Sequence, residues 1–281
     1  MGFPSLSATR DAIADAMRAK ADLPAGRVWL LAMLGGAYIA LAGFASTVAS
    51  CNLLAAPETY GLGRCVAGLL FPVGLIMVVV GGGELFTGNC LMPDAVHRGL
   101  VTRGELLRNW LLVYAGNFAG ALVVSGMLHV SGSFSSGGGT VAAAVIRTAS
   151  AKAGLGCLEA FTLGIFCNWL VCLAIWLAAR AENAAQKAFV LFFPVWIFVA
   201  SGYEHSVANM YYLSAGLLAA ADPVALAASG LPRGVEAALA FPALAGNLFF
   251  VTLGNVAGGA IFVSGAYALA CGASRREKDR G

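Results

Sequence analysis

This sequence is short of charge. Only 11% of its 281 residues are Asp, Glu, Lys or Arg, and the formal net charge is +3. A chain so balanced offers no basic face to a nucleic acid, so no nucleic-acid partner is expected. With 59% hydrophobic residues and a mean hydropathy of +0.81 it holds little soluble matter, and reads as an integral membrane protein. The seven cysteines contain no Cys-x-x-Cys pair and no histidine at ligand spacing, which argues against a zinc centre or a redox dithiol. Phosphate loops and nucleophile elbows are missing too, so neither an enzyme nor a cofactor is expected. Residues 1–26 carry Arg10, Asp11, Asp15, Arg18, Lys20 and Asp22, which does not suit a cleaved leader. The first span is therefore expected to act as the insertion signal.

What the chain does have is long apolar runs. Ser7 to Asp22 reads as an amphipathic helix, with Ile13 and Met17 on one side, lying on the membrane or packing beneath the spans. Val28–Ala49 then crosses a hydrocarbon core of about 30 Å. A polar loop from Asn52 to Arg64 precedes a second span starting near Ala67. Leu106–Val130 forms the third span, where Gly116, Gly120 and Gly126 offer small-residue surfaces. Thr140 to Gly154 is a moderately apolar helix carrying Arg147 and Lys152, and Leu155–Ala179 is the fourth span. The fifth starts near Ala188 and ends near Leu213, and the sixth covers Ala243–Ala270. Cys51 and Cys65 flank the first loop, as packing thiols or as a bridged pair.

Two of these spans are interrupted. GGGELFTGN (Gly81 to Asn89) breaks the second, which resumes at Cys90 and Leu91 and runs to His97 and Arg98. SGYEHSVAN (Ser201 to Asn209) breaks the fifth. Glu84 precedes Asn89 by the interval at which Glu204 precedes Asn209. YAGNFAGALV in the third span also resembles TLGNVAGGAIFV in the sixth, so that Asn117 answers Asn255. Each half then holds three spans, and an odd number turns the second half upside down relative to the first. The expected fold is all-α, with six transmembrane spans in two inverted three-span repeats and broken second and fifth helices.

Charge placement orients it. Arg10, Arg18, Lys20, Arg27, Arg98, Arg103, Arg108, Arg180, Lys187, Arg275, Arg276, Lys278 and Arg280 fall on one side, and only Arg64, Arg147, Lys152 and Arg233 on the other. By the positive-inside rule both termini are cytoplasmic, in a multi-pass protein of the plasma (inner) membrane. One transmembrane domain is expected: an N-terminal helix in 1–26, a six-span pore over 27–271 and a basic tail at 272–281.

Function is sought where the breaks meet, because freed backbone and helix ends at mid-membrane line cavities. His205 titrates near neutral pH and is either a working group or a satisfier of freed backbone. Thr87 lies at the matching depth, either bonding His205 or a solute or bonding back to its own helix. Glu84, Asn89, Glu204 and Asn209 hold the breaks together, the structural role being favoured over proton carriage. Asn168 is another amide suited to tying unwound backbone or facing the pore. Lys152 either snorkels to the interface or concentrates anions at a pore mouth. Phe71, Leu75, Leu85, Phe86 and Phe198 flank the breaks as apolar constrictions or as ordinary packing.

GGGELFTGN, FCNWLVCLAIW (Phe166 to Trp176) and VASGYEHSVANMYY (Val199 to Tyr212) together resemble the formate/nitrite transporter family, over essentially the whole chain. The resemblance implies a homopentamer of aquaporin-like protomers passing small monovalent anions such as formate, nitrite or hydrosulfide. It places Thr87 and His205 at a central polar site, Lys152 and Asn168 along the path or its vestibule, and Phe71, Leu75, Leu85, Phe86 and Phe198 at constrictions. GNCLM (Gly88 to Met92) varies among branches of the family and so does not fix the substrate; formate is the first choice, as the commonest activity among its members. Desolvating an anion costs from several to about 20 kcal/mol. Protonating an acid of pKa about 3.5 at pH 7 costs only roughly 5 kcal/mol. Passage as the neutral acid, with a proton arriving by way of His205 or water, is thus the cheaper route. A channel with a permanently charged His205 and a water or small neutral solute channel are the rival readings.

Overall fold

The computed structural model describes residues 3–232, 234 and 239–272. Arg233 and the tail residues Arg275, Arg276, Lys278 and Arg280 lie outside them. In chain order the helices are α1 (Leu6–Ala21), α2 (Ala25–Ser50), α3 (Tyr60–Leu70), α4 (Pro72–Gly81), α5 (Phe86–Asn89), α6 (Met92–His97), α7 (Arg103–Val130), α8 (Thr140–Ala153), α9 (Cys157–Ala178), α10 (Ala184–Ser201), α11 (Ser206–Ala221), α12 (Pro223–Ala228), α13 (Phe241–Gly259) and α14 (Ala266–Cys271). A π-helical stretch, Ala260–Gly265, joins α13 to α14. Among the described residues six segments are long and apolar enough to cross a membrane: Ala25–Ser50, Pro57–Gly81, Arg103–Val130, Cys157–Ala178, Ala184–Ser201 and Phe241–Cys271. Leu30, Leu111 and Phe249 are exposed on their outer faces, as suits helices facing lipid or a neighbouring subunit.

The two halves use one packing scheme. Span α2 lies against α7, and α9 against α13, while α10 packs on α3, α4 and α9. Close approach depends on small residues. A methyl group at Gly254 would overlap the Phe161 carbonyl and crowd Gly164, and Gly116 and Gly120 meet Ala32 and Met33 in the same way. Gly126, expected to share that role, has nothing within 4 Å of its would-be methyl.

Several boundaries differ from those the sequence suggests. The expected Asn52 to Arg64 loop is two short 3-10 turns and then helix from Tyr60, with Pro57 opening the second turn. Arg64 therefore sits on a spanning helix. Its Nε donates to the Ala200 carbonyl at 3.2 Å and its Nη2 to Val199, which gives the charge partners there. The fifth span resumes as α11 and continues past Leu213 to Ala221, the Ser214 hydroxyl being satisfied by bonding back to the Met210 carbonyl. After the first break the chain forms two short pieces, α5 and α6, the latter opened by Pro93. Cys51 and Cys65 are both free thiols.

The amphipathic helix α1 docks on the bundle. Arg10 makes a buried, forked pair with Asp94 of α6, at 2.9 Å from Nε to Oδ2 and 2.7 Å from Nη2 to Oδ1. Arg98 pairs with Asp11, and Arg18 donates to the Leu100 carbonyl. These contacts bring the end of α1 to the first break.

Gly254→Ala is expected to destabilise the protein by about 1–3 kcal/mol through overpacking. Gly126→Ala should leave the thermal midpoint of the purified protein within a degree or two, as ordinary surface substitutions do. Equal midpoints for the two variants would contradict the α9–α13 contact described above.

Candidate functional site

Each break starts at a glycine that ends a helix in the left-handed region: Gly82 at φ 85°, ψ 24° and Gly202 at φ 79°, ψ 25°. Only glycine adopts this without strain. The next residues run extended, which frees backbone groups inside the bundle. Two asparagines satisfy them. Asn117 Oδ1 accepts from the Phe86 N–H at 2.9 Å, while its Nδ2 donates to the carbonyls of Glu84 (2.8 Å) and Ala32 (2.7 Å). Asn255 Oδ1 accepts from the Ser206 N–H at 2.8 Å, and its Nδ2 donates to the carbonyls of Glu204 (2.9 Å) and Gly164 (2.8 Å). The main chain repeats too, with Glu84 N–H donating to Leu31 and Glu204 N–H to Leu163.

The carboxylates are held the same way. Asn89 Nδ2 donates to Glu84 Oε2 and to Asn109 Oδ1, both at 2.8 Å. Asn209 Nδ2 donates to Glu204 Oε2 at 2.6 Å and to Asn247 Oδ1 at 2.8 Å. A lysine neutralises each. Lys20 of α1 reaches Glu84 at 3.1 Å and Asn89 at 2.8 Å, and Lys152 of α8 reaches Glu204 at 2.7 Å while lying over the Tyr212 ring. Glu84, Asn89, Glu204 and Asn209 thus all sit inside buried, hydrogen-bonded knots.

Between the knots lies the central contact, His205 Nε2 to Thr87 Oγ1 at 2.9 Å, with both side chains buried. His205 is also the N-cap of α11, its Nδ1 accepting from the Ala208 N–H at 2.9 Å. A ring whose Nδ1 accepts carries its proton on Nε2, so Nε2 donates to the threonine. The Thr87 hydroxyl hydrogen is then left to donate elsewhere. Asn168 steadies this piece of chain, its Nδ2 donating to the carbonyls of Thr87 (3.1 Å) and Asn255 (2.6 Å).

Apolar side chains border the centre. Phe198 stacks on His205 at 5.9 Å between ring centroids and meets Phe71 edge-on at 5.7 Å. Leu75 and Leu85 are buried. Leu85 is the N-cap of α5 and so holds the place in the first break that His205 holds in the second. The ring of Phe86 is engaged by Trp110 and Tyr114 of α7, at 5.9 and 5.0 Å. On one side a cavity of about 110 Å³ reaches the centre, lined by Arg64, Phe71, Lys152, Phe198, Glu204, His205 and Tyr212 among others. No cluster of His, Cys, Asp and Glu able to hold a metal occurs among the described residues.

The family model for formate/nitrite transporters matches residues 7–269. The chain belongs to that family. The formate/nitrite transporter family comprises channels and transporters rather than enzymes, and this member is a multi-pass membrane protein. The chain is similar to the formate channel FocA of Haemophilus influenzae, at 38% identity over 240 residues and 81% of each chain. It is also similar to a probable formate transporter of Methanothermobacter thermautotrophicus, at 36% over 279 residues, covering 94% of this chain and 96% of that one. Among solved structures it resembles a pentameric formate channel with formate bound, with a TM-score of 0.81 at 36% identity, covering 88% of this chain and 97% of the other. An FNT family ion channel gives a TM-score of 0.79 at 28% identity, covering 93% and 98%.

Sequence reasoning overlooked Lys20, Asn109 and Asn247, and assigned Asn117 and Asn255 no task. The repeat itself would have found them. Lys20 precedes Leu31 by the interval at which Lys152 precedes Leu163, and Asn109 precedes Asn117 as Asn247 precedes Asn255.

Asn255→Ala strands the Ser206 N–H and the Glu204 carbonyl in the bundle, at about 1–3 kcal/mol for each unsatisfied group. The variant is expected to unfold at least 5 °C below wild type in a thermal melt of the detergent-solubilised protein. A wild-type midpoint would show that the break closes without this amide.

Proposed function

We propose that this chain forms a transmembrane channel for small monovalent weak-acid anions, formate first among them, which cross the centre as the neutral acid. The contact between Thr87 and His205 carries the reading. It is one polar pair bordered by Phe71 and Phe198, reached through a cavity that a cation lines. Leaving water is costly for an anion and much less so for its protonated form, so a site bounded by aromatic rings favours neutralisation on entry.

The hydrogen bonds of His205 favour a neutral ring over a permanent cation. An imidazolium would bear hydrogen on both nitrogens and set Nδ1–H against the Ala208 N–H, giving up the cap of α11. A ring held this way polarises Thr87, whose hydroxyl offers a hydrogen bond to the solute, and the proton that accompanies the anion comes from water. Lys152 with Glu204 lies along one approach and Lys20 with Glu84 at the first break, so that each break presents a matched ion pair. Leu85 and Phe86 border the first break, with Phe71, Leu75 and Phe198 on the other approach.

The repeated hydrogen bonds, with three spans to each half, support an inverted arrangement of the halves. The positive-inside bias supports cytoplasmic termini in an inner membrane, which makes the cavity beside Lys152 the outer vestibule. The printed description of the structural relative as a pentamer supports the same assembly here. The exposed apolar faces of the spans are compatible with it.

In liposomes carrying the purified protein, formate entry should acidify the interior by about one proton per anion. Thr87→Val, which keeps the shape and removes the hydroxyl, is expected to lower formate flux at least tenfold in a protein that elutes as wild type does, the loss of one preorganised donor costing up to about 2.7–4 kcal/mol. Formate entry accompanied by current and no acidification would replace this reading with an electrogenic anion channel.

A further inference from the structure

We propose that Arg64 is the cation that captures the anion at the outer vestibule, Lys152 being committed to the second break. The inference rests on the channel reading above and assigns its entry step. Both cations line the same cavity. Lys152 lies 2.7 Å from Glu204 Oε1, with the lysine side chain 14% exposed and the glutamate 6%. An anion approaching Lys152 therefore meets a carboxylate as well, and the pair presents no net charge.

Arg64 is differently placed. It makes no ion pair with a described residue. Nε and Nη2 donate to the carbonyls of Ala200 and Val199 at the end of α10. Those dipoles orient the group without cancelling its charge. The third nitrogen, Nη1, has no hydrogen-bond partner among the described residues, and is a donor available to an oxyanion.

Closing the break does not require this arginine. The first break ends α4 with nearly the same backbone angles at Gly82 that Gly202 adopts after α10. There Val79 and Val80 take the places of Val199 and Ala200, and among the described residues no side chain donates to their carbonyls. The position that would supply such a donor, at the interval before Glu204 that Arg64 keeps before Glu84, is Ala184. The repeat thus builds one break with the cation and one without. The outer vestibule holds an unmatched positive charge where Lys20, at the other break, is matched by Glu84.

The test measures formate influx into proteoliposomes over a range of sodium formate concentrations, in a low-salt buffer where the Debye length is about 30 Å and again near 1 M salt. Removing a focusing charge by Arg64→Gln is expected to raise the half-saturating formate about fivefold at low salt, with maximal flux within twofold of wild type, and to have little effect at high salt. Arg64→Lys, which keeps the charge and not the forked hydrogen bonds, should return to within twofold of wild type. An unchanged half-saturation in Arg64→Gln, or equal impairment in Arg64→Lys, would overturn the assignment and leave Arg64 as a cap on α10. Should Arg64→Gln fail to fold, wild-type protein is treated with phenylglyoxal and Arg64 modification followed by mass spectrometry. Sodium formate is expected to slow it at least threefold and formamide not to, while equal rates would overturn the proposal. Wild-type flux is measured first, so its absence refutes formate as substrate and leaves Arg64 to be scored with sodium nitrite.

Discussion

A polypeptide that unwinds inside a membrane must satisfy every amide and carbonyl it frees, and the fold depends on how that is done. Asn117 and Asn255 each supply one donated bond and one accepted bond to chain released by a break. Each also ties that break to a neighbouring span of its own half, through the carbonyls of Ala32 and Gly164. Close packing of α2 on α7 and of α9 on α13 brings the amides within reach, so the small residues of those spans serve the breaks indirectly. Breaks, buried amides and tight helix pairs form one interdependent unit.

That unit is nearly symmetric, and the polar centre forms where the symmetry fails. Leu85 and His205 cap equivalent helices after equivalent glycines, yet one is apolar and the other polar. The polar member then finds Thr87 from the opposite half, across the point where the two breaks meet. Two halves built alike in backbone thus produce a centre with a single hydrogen-bonding pair. Arg64 is a second departure, lining the cavity on one side of the centre with a charge that the repeat does not copy.

Much of this is legible in sequence, for a physical reason. Glycine, glutamate and asparagine at membrane depth are costly, so their recurrence at one spacing in two apolar spans marks the breaks, and the matched asparagines of the third and sixth spans mark the repeat. Lys20 is not legible locally, because on an amphipathic helix a lysine reads as part of a solvated face. Only the fold brings it to Glu84. Arg64 reads as loop since a charge in a span is unfavourable, until the carbonyls of Val199 and Ala200 are found opposite it. The full length of α11 is hidden for a similar reason, Ser214 being satisfied by its own helix. The π-helical stretch after Gly259 continues an apolar run whose Ser264 and Gly265 do not tell it from α-helix, and the Ser264 hydroxyl donates to the Leu91 carbonyl there.

The pairing of each lysine with its glutamate bears on biosynthesis. A ribosome makes Lys20 long before Glu84, and Lys152 before Glu204. Both lysines ride on helices that the chain completes ahead of the broken span each will neutralise. The cation is thus already made, on a helix that can rest at the lipid headgroups, when the carboxylate enters the bilayer. Neither glutamate has to wait in hydrocarbon for a partner yet to be translated, and the order of elements along the gene is itself a means of lowering the barrier to insertion.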